Sequence, residues 1–231
     1  MGLDFSRRAA DLHERMDEPD CDLPTLRRTY AQFATVNALV AGWRQVYLRE
    51  LRPRLSPGRT MTLLDIGCGG GDVPLRLAHW ARRDGLRLRV TAIDADERAV
   101  AYASPLAQPG VEFRQALSGD LVREGQRFDF VTSNHLLHHL TDPELVALLR
   151  DSERLCRVRV LHSDLARSPL AYRLFSVGAR LFPGTFIHED GLLSIRRSYT
   201  AAELAALVPP GWAVRPLFPF RYLLTYTGPN A

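Results

Sequence analysis

The 231-residue chain contains no lysine, because all 30 of its basic residues are arginine. Without a lysine amine there is no Schiff-base or pyridoxal-phosphate lysine, no P-loop lysine and no Tyr-x-x-x-Lys reductase pair. Three cysteines are present, and their spacing matches neither a disulfide framework nor a metal-ligand motif. We therefore expect no disulfides and no metal site, in a reducing cytoplasm.

Long apolar runs are also missing. No stretch approaches the ~20 residues that span a bilayer, and the N-terminal segment has no apolar region typical of a secretory signal. The formal net charge is +4, with arginines interspersed among acids, so no basic tract indicates nucleic-acid binding. We expect a cytoplasmic protein without a membrane span that acts on a small molecule as a monomer or homodimer.

Strand and helix patterns alternate through most of the chain. Short apolar runs predict seven strands, at Met61–Ile66, Leu88–Ile93, Val111–Arg114, Phe128–Thr132, Val158–Leu161, Trp212–Arg215 and Arg221–Tyr226. Helical patterns lie between most of them. The alternation predicts an α/β fold, a doubly wound Rossmann-like sheet with helices on both faces. Such sheets bind ligands at the carboxyl ends of their strands.

The segments outside this alternation predict a cap and a lid. Residues 1–23 are polar and irregular, which indicates a frayed arm. Asp22 followed by Pro24 predicts the start of a helical region, as one helix or two. Residues 165–199 appear irregular but rich in aromatic residues, as in a lid over an apolar substrate. We therefore divide the chain into a helical cap, residues 1–58, and a core, residues 59–231, that carries this lid.

A glycine-rich turn, in the run LLDIGCGGGD, joins the first core strand to a helix. Gly67, Gly69 and Gly71 allow a tight turn and a close approach of the backbone to a ligand, beside the free N–H groups of a helix N-terminus. Asp65 precedes the turn, and Asp72 stands where a dinucleotide-binding fingerprint has its last glycine. Both acids disfavour a pyrophosphate and favour a ligand with a positive end, such as an amino-acid ammonium group.

Two further motifs follow later strands. Asp94 ends the second strand, the position of an acid that binds ribose hydroxyls, although a helix N-cap is an alternative role. The run FDFVTSNHLLHHL leads from the fourth strand into a predicted helix that carries His135, His138 and His139. Functional groups therefore follow three strands at the expected ligand edge.

Together these motifs resemble the class I S-adenosylmethionine (SAM)-dependent methyltransferases, over roughly residues 60–165. The run VNALVAGWRQVYLREL resembles, more loosely, the helix before the core in quinone- and phenol-methylating enzymes of ubiquinone and menaquinone biosynthesis. The resemblance implies a seven-stranded sheet with a reversed last strand, and SAM as the cofactor. It also implies methyl transfer to a hydroxyl or ring carbon of a small aromatic or quinol-like metabolite.

The resemblance also assigns cofactor-binding residues: Asp65, Gly67, Cys68, Gly69, Gly71, Asp94, Ala95, Ala116, Leu117, Asn134 and His135. The family usually has Gly-Asp after the third strand, whereas this chain has Ala116-Leu117, with Gly119-Asp120 three residues later. Either Asp120 binds the adenine amino group, or backbone and apolar contacts hold adenine. We interpret Cys68 as a small residue of the turn and not as a nucleophile.

The histidines and the cap provide the candidates for catalysis and acceptor binding. The run His-Leu-Leu-His-His lacks the glutamate of a zinc-protease motif, so the histidines are either structural or general bases. A base positioned to take the proton of a phenol would accelerate methyl transfer to it by about 10²–10⁴-fold. We predict His139 first and His135 second as catalytic residues. The candidate substrate-binding residues are Tyr30, Asn37, Asp164 and His188.

Three other functions are compatible with parts of this pattern. An NAD(P)-dependent oxidoreductase is disfavoured by the missing last glycine and by the missing lysine. An RNA methyltransferase is permitted by the arginine excess, but no appended RNA-binding module is visible. The third alternative is a SAM-binding protein without catalytic activity.

Overall fold

The computed structural model describes residues 3–231 and contains a seven-stranded sheet in the order β3-β2-β1-β4-β5-β7-β6. The strands are β1 (Thr60–Ile66), β2 (Arg87–Asp94), β3 (Val111–Gln115), β4 (Phe128–Asn134), β5 (Cys156–Leu165), β6 (Trp212–Leu217) and β7 (Arg221–Thr227). Strands β1 to β5 are parallel, and β7 runs antiparallel between β5 and β6. The predicted doubly wound sheet with a reversed last strand is confirmed.

Helices cover both faces of the sheet. They are α1 (Leu23–Val40), α2 (Trp43–Val46), α3 (Asp72–Arg83), α4 (Glu97–Ala103), α5 (Ser118–Arg123), α6 (Asp142–Leu155), α7 (Pro169–Gly178), α8 (Ile187–Arg197) and α9 (Ala201–Leu207). One buried apolar cluster joins α2 and α3 to the sheet, and a second joins α5, α6 and α9 to the other face. Within residues 3–231, no helix has the length and apolar character needed to cross a bilayer.

The start of α1 and its end follow from local sequence. The Asp22 carboxylate accepts the N–H of Thr25 at 2.8 Å, and Pro24 occupies the first turn, as an N-cap and a first-turn proline do. Gly42 adopts a left-handed conformation, with φ of 69°, and separates α1 from α2. The predicted helical region is therefore two helices, the second of which continues into a π-helical turn, Tyr47–Leu51.

The segment after β4 is not the helix that was predicted. His135 has a φ of 56°, and a 3-10 turn covers Leu137–His139, whereas α6 begins only at Asp142. The histidines therefore lie on a tight connection and not along one helix face. Strand β5 is also longer than predicted, so Asp164 lies inside the strand and not after it.

The N-terminal arm, residues 3–22, is packed against the molecule, so the prediction of a frayed arm is wrong for these residues. The Arg8 guanidinium donates to the carbonyl oxygens of Leu140 and Arg197 at 3.0 and 2.7 Å. The Asp190 carboxylate accepts the N–H groups of Arg15 and Met16 at 2.8 and 3.0 Å. These bonds fix the arm over the ends of the strands.

Residues 165–199 are helical and not irregular. Helices α7 and α8 pack against each other, and the Phe175 ring lies directly over Gly191. A Cβ atom at Gly191 would lie only 2.3 Å from Phe175 Cε1, so this close approach requires glycine. The aromatic residues of the predicted lid thus belong to a packed helical pair.

His162, in the middle of β5, makes stability depend on pH. Its Nδ1 and Nε2 atoms lie 2.8 and 3.0 Å from the hydroxyls of Ser133 and Ser152, and its ring stacks on Trp212. Burial lowers the pKa of His162 to about 3, whereas an unfolded histidine has a pKa of about 6.5. Between these values only the unfolded chain binds the proton, so stability falls as the pH is lowered.

We expect this histidine to reduce the free energy of unfolding by about 1.4 kcal/mol per pH unit from about pH 6.5 down to about pH 3. Urea unfolding at several pH values gives the free energy of unfolding of the wild type and of His162→Gln. Because other groups titrate equally in both proteins, the difference between the two free energies reports the titration of His162 alone. A difference that is constant with pH would contradict this assignment.

Candidate active site

A cavity of about 390 Å³ lies at the carboxyl ends of β1, β2 and β4, the edge at which a ligand is expected. The glycine turn between β1 and α3, helix α1, the N-terminal arm, the connection after β4 and helix α8 contribute to its walls. Ten residues predicted to bind cofactor or substrate or to act in catalysis line this cavity: Tyr30, Asn37, Asp65, Gly67, Cys68, Gly69, Asp94, Asn134, His135 and His139.

The glycine turn presents bare backbone to the cavity. Gly67 and Gly69 have φ values of 70° and 51°. The N–H of Gly67 donates to Ile93 O and the N–H of Gly69 donates to Asp94 Oδ2, both at 2.8 Å. A Cβ atom at Gly69 would meet nothing within 4 Å among residues 3–231. The turn therefore leaves open space in which a ligand approaches the backbone closely.

Gly71 supports the turn from behind. It does not line the cavity but caps α3, with a φ of 81°. A Cβ atom there would lie 2.7 Å from Phe113 Cζ and 3.3 Å from Ala103 Cβ. Gly71 is thus needed for the packing behind the turn, and its contact with a cofactor stays a prediction.

Three carboxylates converge on the turn. Asp65 is 2% exposed, and burial, together with the nearby acids, raises its pKa to about 7, although Thr132 Oγ1 donates to it at 2.7 Å. Burial also raises the pKa of Asp72 and of Asp94. Asn37 Nδ2 donates to both Asp72 oxygens at 3.1 and 3.2 Å. This group of acids favours a ligand that brings positive charge and hydroxyl donors.

Cys68 lies inside the same turn and is buried. Burial, together with the neighbouring carboxylates, raises the pKa of its thiol. Because the thiolate is the nucleophilic form, this environment agrees with the interpretation of Cys68 as a small residue of the turn.

Five other predicted residues lie outside the cavity: Ala95, Ala116, Leu117, Asp164 and His188. Leu117 is 61% exposed, and Asp164 is fully buried. The Asp164 carboxylate accepts the N–H of His138 at 2.9 Å and contacts the imidazole of the same residue. It therefore holds a neighbouring side chain and is not exposed to the cavity, so its predicted contact with a substrate stays a prediction.

Arg221, at the start of β7, donates hydrogen bonds to the side chains of Asn134 and His135. Its Nη2 donates to Asn134 Oδ1 at 2.7 Å, and its Nη1 donates to His135 Nε2 at 2.6 Å. Burial and the Arg221 charge hold the pKa of His135 well below its ordinary value. The geometry does not favour the predicted catalytic role of His135, because the ring nitrogen that would take a proton already accepts a hydrogen bond.

The other two histidines meet carboxylates from the arm and from β5. His138 is 1% exposed, with Nδ1 2.8 Å from Asp164 Oδ1 and Nε2 3.3 Å from Glu14 Oε1. Burial opposes protonation of His138, but these carboxylates raise its pKa to about 9. His139 lines the cavity, and its Nδ1 lies 3.0 Å from Asp17 Oδ2. We call Glu14, Asp17, His138, His139 and Asp164 the acid–histidine cluster.

Glu14, Asp17 and Arg221 are site residues that the sequence did not single out, and His138 was considered only as one member of the histidine run. Glu14 is 2% exposed and accepts the hydroxyl of Ser194 at 2.9 Å. Its position in a polar, acidic run gave no sign of burial. The one available signal was the presence of His138 beside the candidate His139.

Apolar side chains form much of the wall of the cavity. Helix α1 contributes Tyr30 and Phe33, and the segment of α7 and α8 contributes Phe175, Phe186 and Ile195. Such a wall with a few polar groups is typical of a small-molecule site. The cavity therefore combines carboxylates and bare backbone at the glycine turn with imidazoles after β4, and aromatic side chains contribute to its wall at the glycine turn as well.

A seven-stranded sheet with a reversed last strand, a glycine turn after β1 and an acid at the end of β2 define a methyltransferase-type fold. The sequence pattern of a family described as "Methyltransferase domain" matches residues 63–159. Human N-acetylserotonin methyltransferase, solved with SAM, aligns with a TM-score of 0.62 at 14% identity, over 90% of this chain and 56% of that chain. The chain belongs to the class I SAM-dependent methyltransferases, as the sequence motifs predicted.

Other similar proteins agree with this family. A plantazolicin methyltransferase structure aligns with a TM-score of 0.61 at 12% identity, over 93% of both chains. A ubiquinone biosynthesis O-methyltransferase of Caulobacter vibrioides is 32% identical over 70% of this chain and 66% of that protein. One from Pseudomonas syringae is 37% identical over 51% of this chain and 50% of that protein. The chain thus spans about half to two thirds of the length of these curated relatives.

Proposed function

We propose that this protein moves the methyl group of SAM to a hydroxyl group of a small aromatic, quinol-like metabolite. One observation carries the proposal: a continuous cavity joins the glycine turn and its carboxylates to the acid–histidine cluster through an aromatic wall. The similarity to ubiquinone biosynthesis O-methyltransferases favours an oxygen atom over a ring carbon as the acceptor.

The first end of the cavity fits the parts of SAM. Asp94, at the end of β2, is placed to accept the ribose hydroxyls in charge-assisted hydrogen bonds. Asp65 and Asp72 lie where a methionyl ammonium group would offset their burial. The open space beside Gly69 leaves room for the methionyl part. Asp94 keeps the Gly69 N–H in place at the same time.

Adenine is held by backbone and apolar contacts in this proposal, not by Asp120. That carboxylate accepts the N–H of Leu117 at 2.8 Å and also pairs with Arg123. It therefore caps α5 and is engaged within its own helix. Ala116 is half-buried against the apolar core beside β3, which leaves an apolar surface for the edge of a base.

The chemical step is an in-line displacement. The acceptor hydroxyl loses its proton, and its oxygen forms a C–O bond to the methyl carbon as the C–S⁺ bond breaks. The electron pair of that bond stays on sulfur, which becomes a neutral thioether. SAM supplies the activated methyl group, and the protein aligns the two reactants and excludes water. His139, oriented by Asp17, is the predicted side chain that activates the hydroxyl.

The alternatives fit the cavity less well. Three carboxylates around the glycine turn would repel the pyrophosphate of a nicotinamide dinucleotide. The aromatic wall and the limited volume favour a compact acceptor over RNA. A SAM-binding protein without activity would not need a cavity that continues past the cofactor to a histidine pair.

The organisation of the chain follows from the same proposal. Residues 1–58 act as a helical cap, residues 59–231 as the SAM-binding core, and residues 165–199 as the substrate lid. The packed arm belongs to the cap, because it supplies Glu14 and Asp17 to the cavity. We further propose that the protein works in the cytoplasm on a small molecule, as a monomer or homodimer, without a nucleic-acid partner.

Ligand-induced stabilisation and product formation test the function together. SAM at 100 times its dissociation constant stabilises a protein by about 2.7 kcal/mol, so it should raise the melting temperature, whereas NADH should not. A radiolabelled methyl group should then move from SAM to a catechol or hydroquinone in a small panel of phenols. Stabilisation by NADH and not by SAM would contradict the proposal. Steeply salt-dependent binding and methylation of RNA would instead favour the RNA enzyme.

A further inference from the structure

Three side chains of the acid–histidine cluster have the arrangement of metal ligands. One ligand atom each of Glu14, His138 and His139 lie within 4.8 Å of one another. Glu14 Oε1 is 3.3 Å from His138 Nε2, and Glu14 Oε2 is 3.9 Å from His139 Nε2. Two ligands on one tetrahedral zinc ion, with bonds of about 2.0–2.1 Å, are about 3.3 Å apart. A small contraction of the cluster would therefore give this geometry.

The Nε2 atom of His138 gives a second, independent indication. The ring is 1% exposed, and its contact with Glu14 lacks the geometry of a hydrogen bond. This nitrogen therefore has no hydrogen-bond partner among residues 3–231. Buried polar atoms are nearly always satisfied. Asp164 holds the opposite ring nitrogen, Nδ1, at 2.8 Å, which is the carboxylate–histidine pairing that orients metal-binding imidazoles.

The charges around the two imidazoles also favour a cation. The carboxylates of Glu14, Asp17 and Asp164 each contact one of the rings. The Arg197 guanidinium also approaches, with Nη1 3.8 Å from Glu14 Oε1 and 3.8 Å from Asp17 Oδ2. With both imidazoles neutral, as metal binding requires, these carboxylates carry more negative charge than the guanidinium groups of Arg197 and, beside Asp164, of Arg221 offset. A divalent cation would neutralise the excess.

We propose that Glu14, His138 and His139 bind a divalent metal ion of the zinc type at the acceptor end of the cavity. Two imidazoles and one carboxylate are a known ligand set of catalytic zinc sites, which keep a fourth position open. All three residues line the cavity, so the open position faces the space assigned to the acceptor. The prediction of no metal site considered only the histidine run and missed the ligand supplied by the arm.

The role of the metal in the reaction rests on the proposed methyl transfer. A hydroxyl oxygen bound to a divalent cation loses its proton at a lower pH, as zinc-bound water does. The released proton goes to solvent, and the bound oxygen then attacks the methyl carbon of SAM. The metal changes neither its charge nor its oxidation state in this step. His139 then acts as a ligand and not as a proton acceptor.

Metal binding is measured on the full chain, without any methyl acceptor. Protein freed of metal by chelator dialysis is titrated with Zn²⁺ in competition with a chromogenic chelator. We expect one equivalent to bind, and we expect Glu14→Gln and His138→Gln to weaken this binding at least tenfold. Glu97→Gln and His79→Ala, which change exposed residues of α4 and α3, are the matched controls and should bind as the wild type does.

Wild-type protein provides a second measurement that no folding defect can affect. Co²⁺ in place of Zn²⁺ should give the visible absorption of a four- or five-coordinate site, and a catechol should change that spectrum by entering the open position. Absence of stoichiometric Zn²⁺ and Co²⁺ binding in the wild type would overturn the proposal. Unchanged binding in a folded Glu14→Gln variant that still binds SAM would also overturn it.

A third measurement tests whether the bound metal takes part in catalysis, independently of whether the site binds a metal. Removal of the metal should abolish transfer to a phenol while the affinity for SAM stays the same, and Zn²⁺ should restore the activity. Full turnover without metal would overturn the activating role and leave His139 as a general base. If no phenol is methylated under any condition, the proposed function fails, but the titration still decides whether the site exists.

Discussion

Replacement of Asp94 by alanine should weaken SAM binding at least tenfold, which corresponds to at least about 1.4 kcal/mol. In the proposed function the Asp94 carboxylate accepts two ribose hydroxyls, and hydrogen bonds to a charged group contribute about 1.5–3 kcal/mol each. It also accepts the N–H groups of Gly69 and Asp96 at 2.8 and 3.0 Å. The substitution therefore removes a ligand contact and loosens the turn together.

Isothermal titration with SAM measures this loss. Asp94→Asn, which keeps one acceptor oxygen but no charge, should bind with intermediate affinity. Glu97→Gln removes a nearby exposed carboxylate at the start of α4 and should bind SAM normally. Unchanged affinity in a folded Asp94→Ala variant would remove the ribose assignment.

Replacement of His139 by alanine should lower turnover by about 10²–10⁴-fold, with little change in SAM affinity. The residue lines the acceptor end of the cavity, and Asp17 holds its Nδ1. Its loss removes an activating group whether that group takes a proton or binds a metal. We expect the substitution to slow the chemical step and to leave SAM binding unchanged, because the carboxylates near the glycine turn remain in place.

Single-turnover transfer to a phenol measures the effect on the chemical step, and a parallel SAM titration measures the effect on cofactor affinity. His79→Ala changes an exposed histidine of α3 and should be fully active. A His139→Ala variant with full turnover would show that this histidine is structural. Loss of SAM affinity equal to the loss of turnover would place the residue at the cofactor instead.

The parts of the site that short local motifs specify could be predicted from the sequence. The turn at Gly67 and the acid at Asp94 follow buried parallel strands, and the carboxyl ends of such strands meet at one edge of the sheet. A short apolar run predicts each strand, and the glycines predict the turn. The fold and the cofactor end of the cavity therefore follow from patterns only a few residues long.

The acceptor end was not predictable in the same way. Asp17 meets His139 across 122 positions, and Arg221 meets His135 across 86. No local pattern specifies such pairs, because they depend on how the arm and β7 pack in the folded chain. The predicted helix after β4 also failed because His135 takes a left-handed backbone conformation, which its sequence context does not indicate.

The packed arm has a consequence for how related enzymes diverge. The region shared with the family, residues 63–159, contains the glycine turn, Asp94 and both histidines of the cluster. Glu14 and Asp17 precede that region, and Phe175 and Phe186 follow it. If these flanking segments contact the acceptor as proposed, substitutions in them would alter which molecule is methylated without disturbing the binding of SAM, and the core shared with the family would not determine the acceptor by itself.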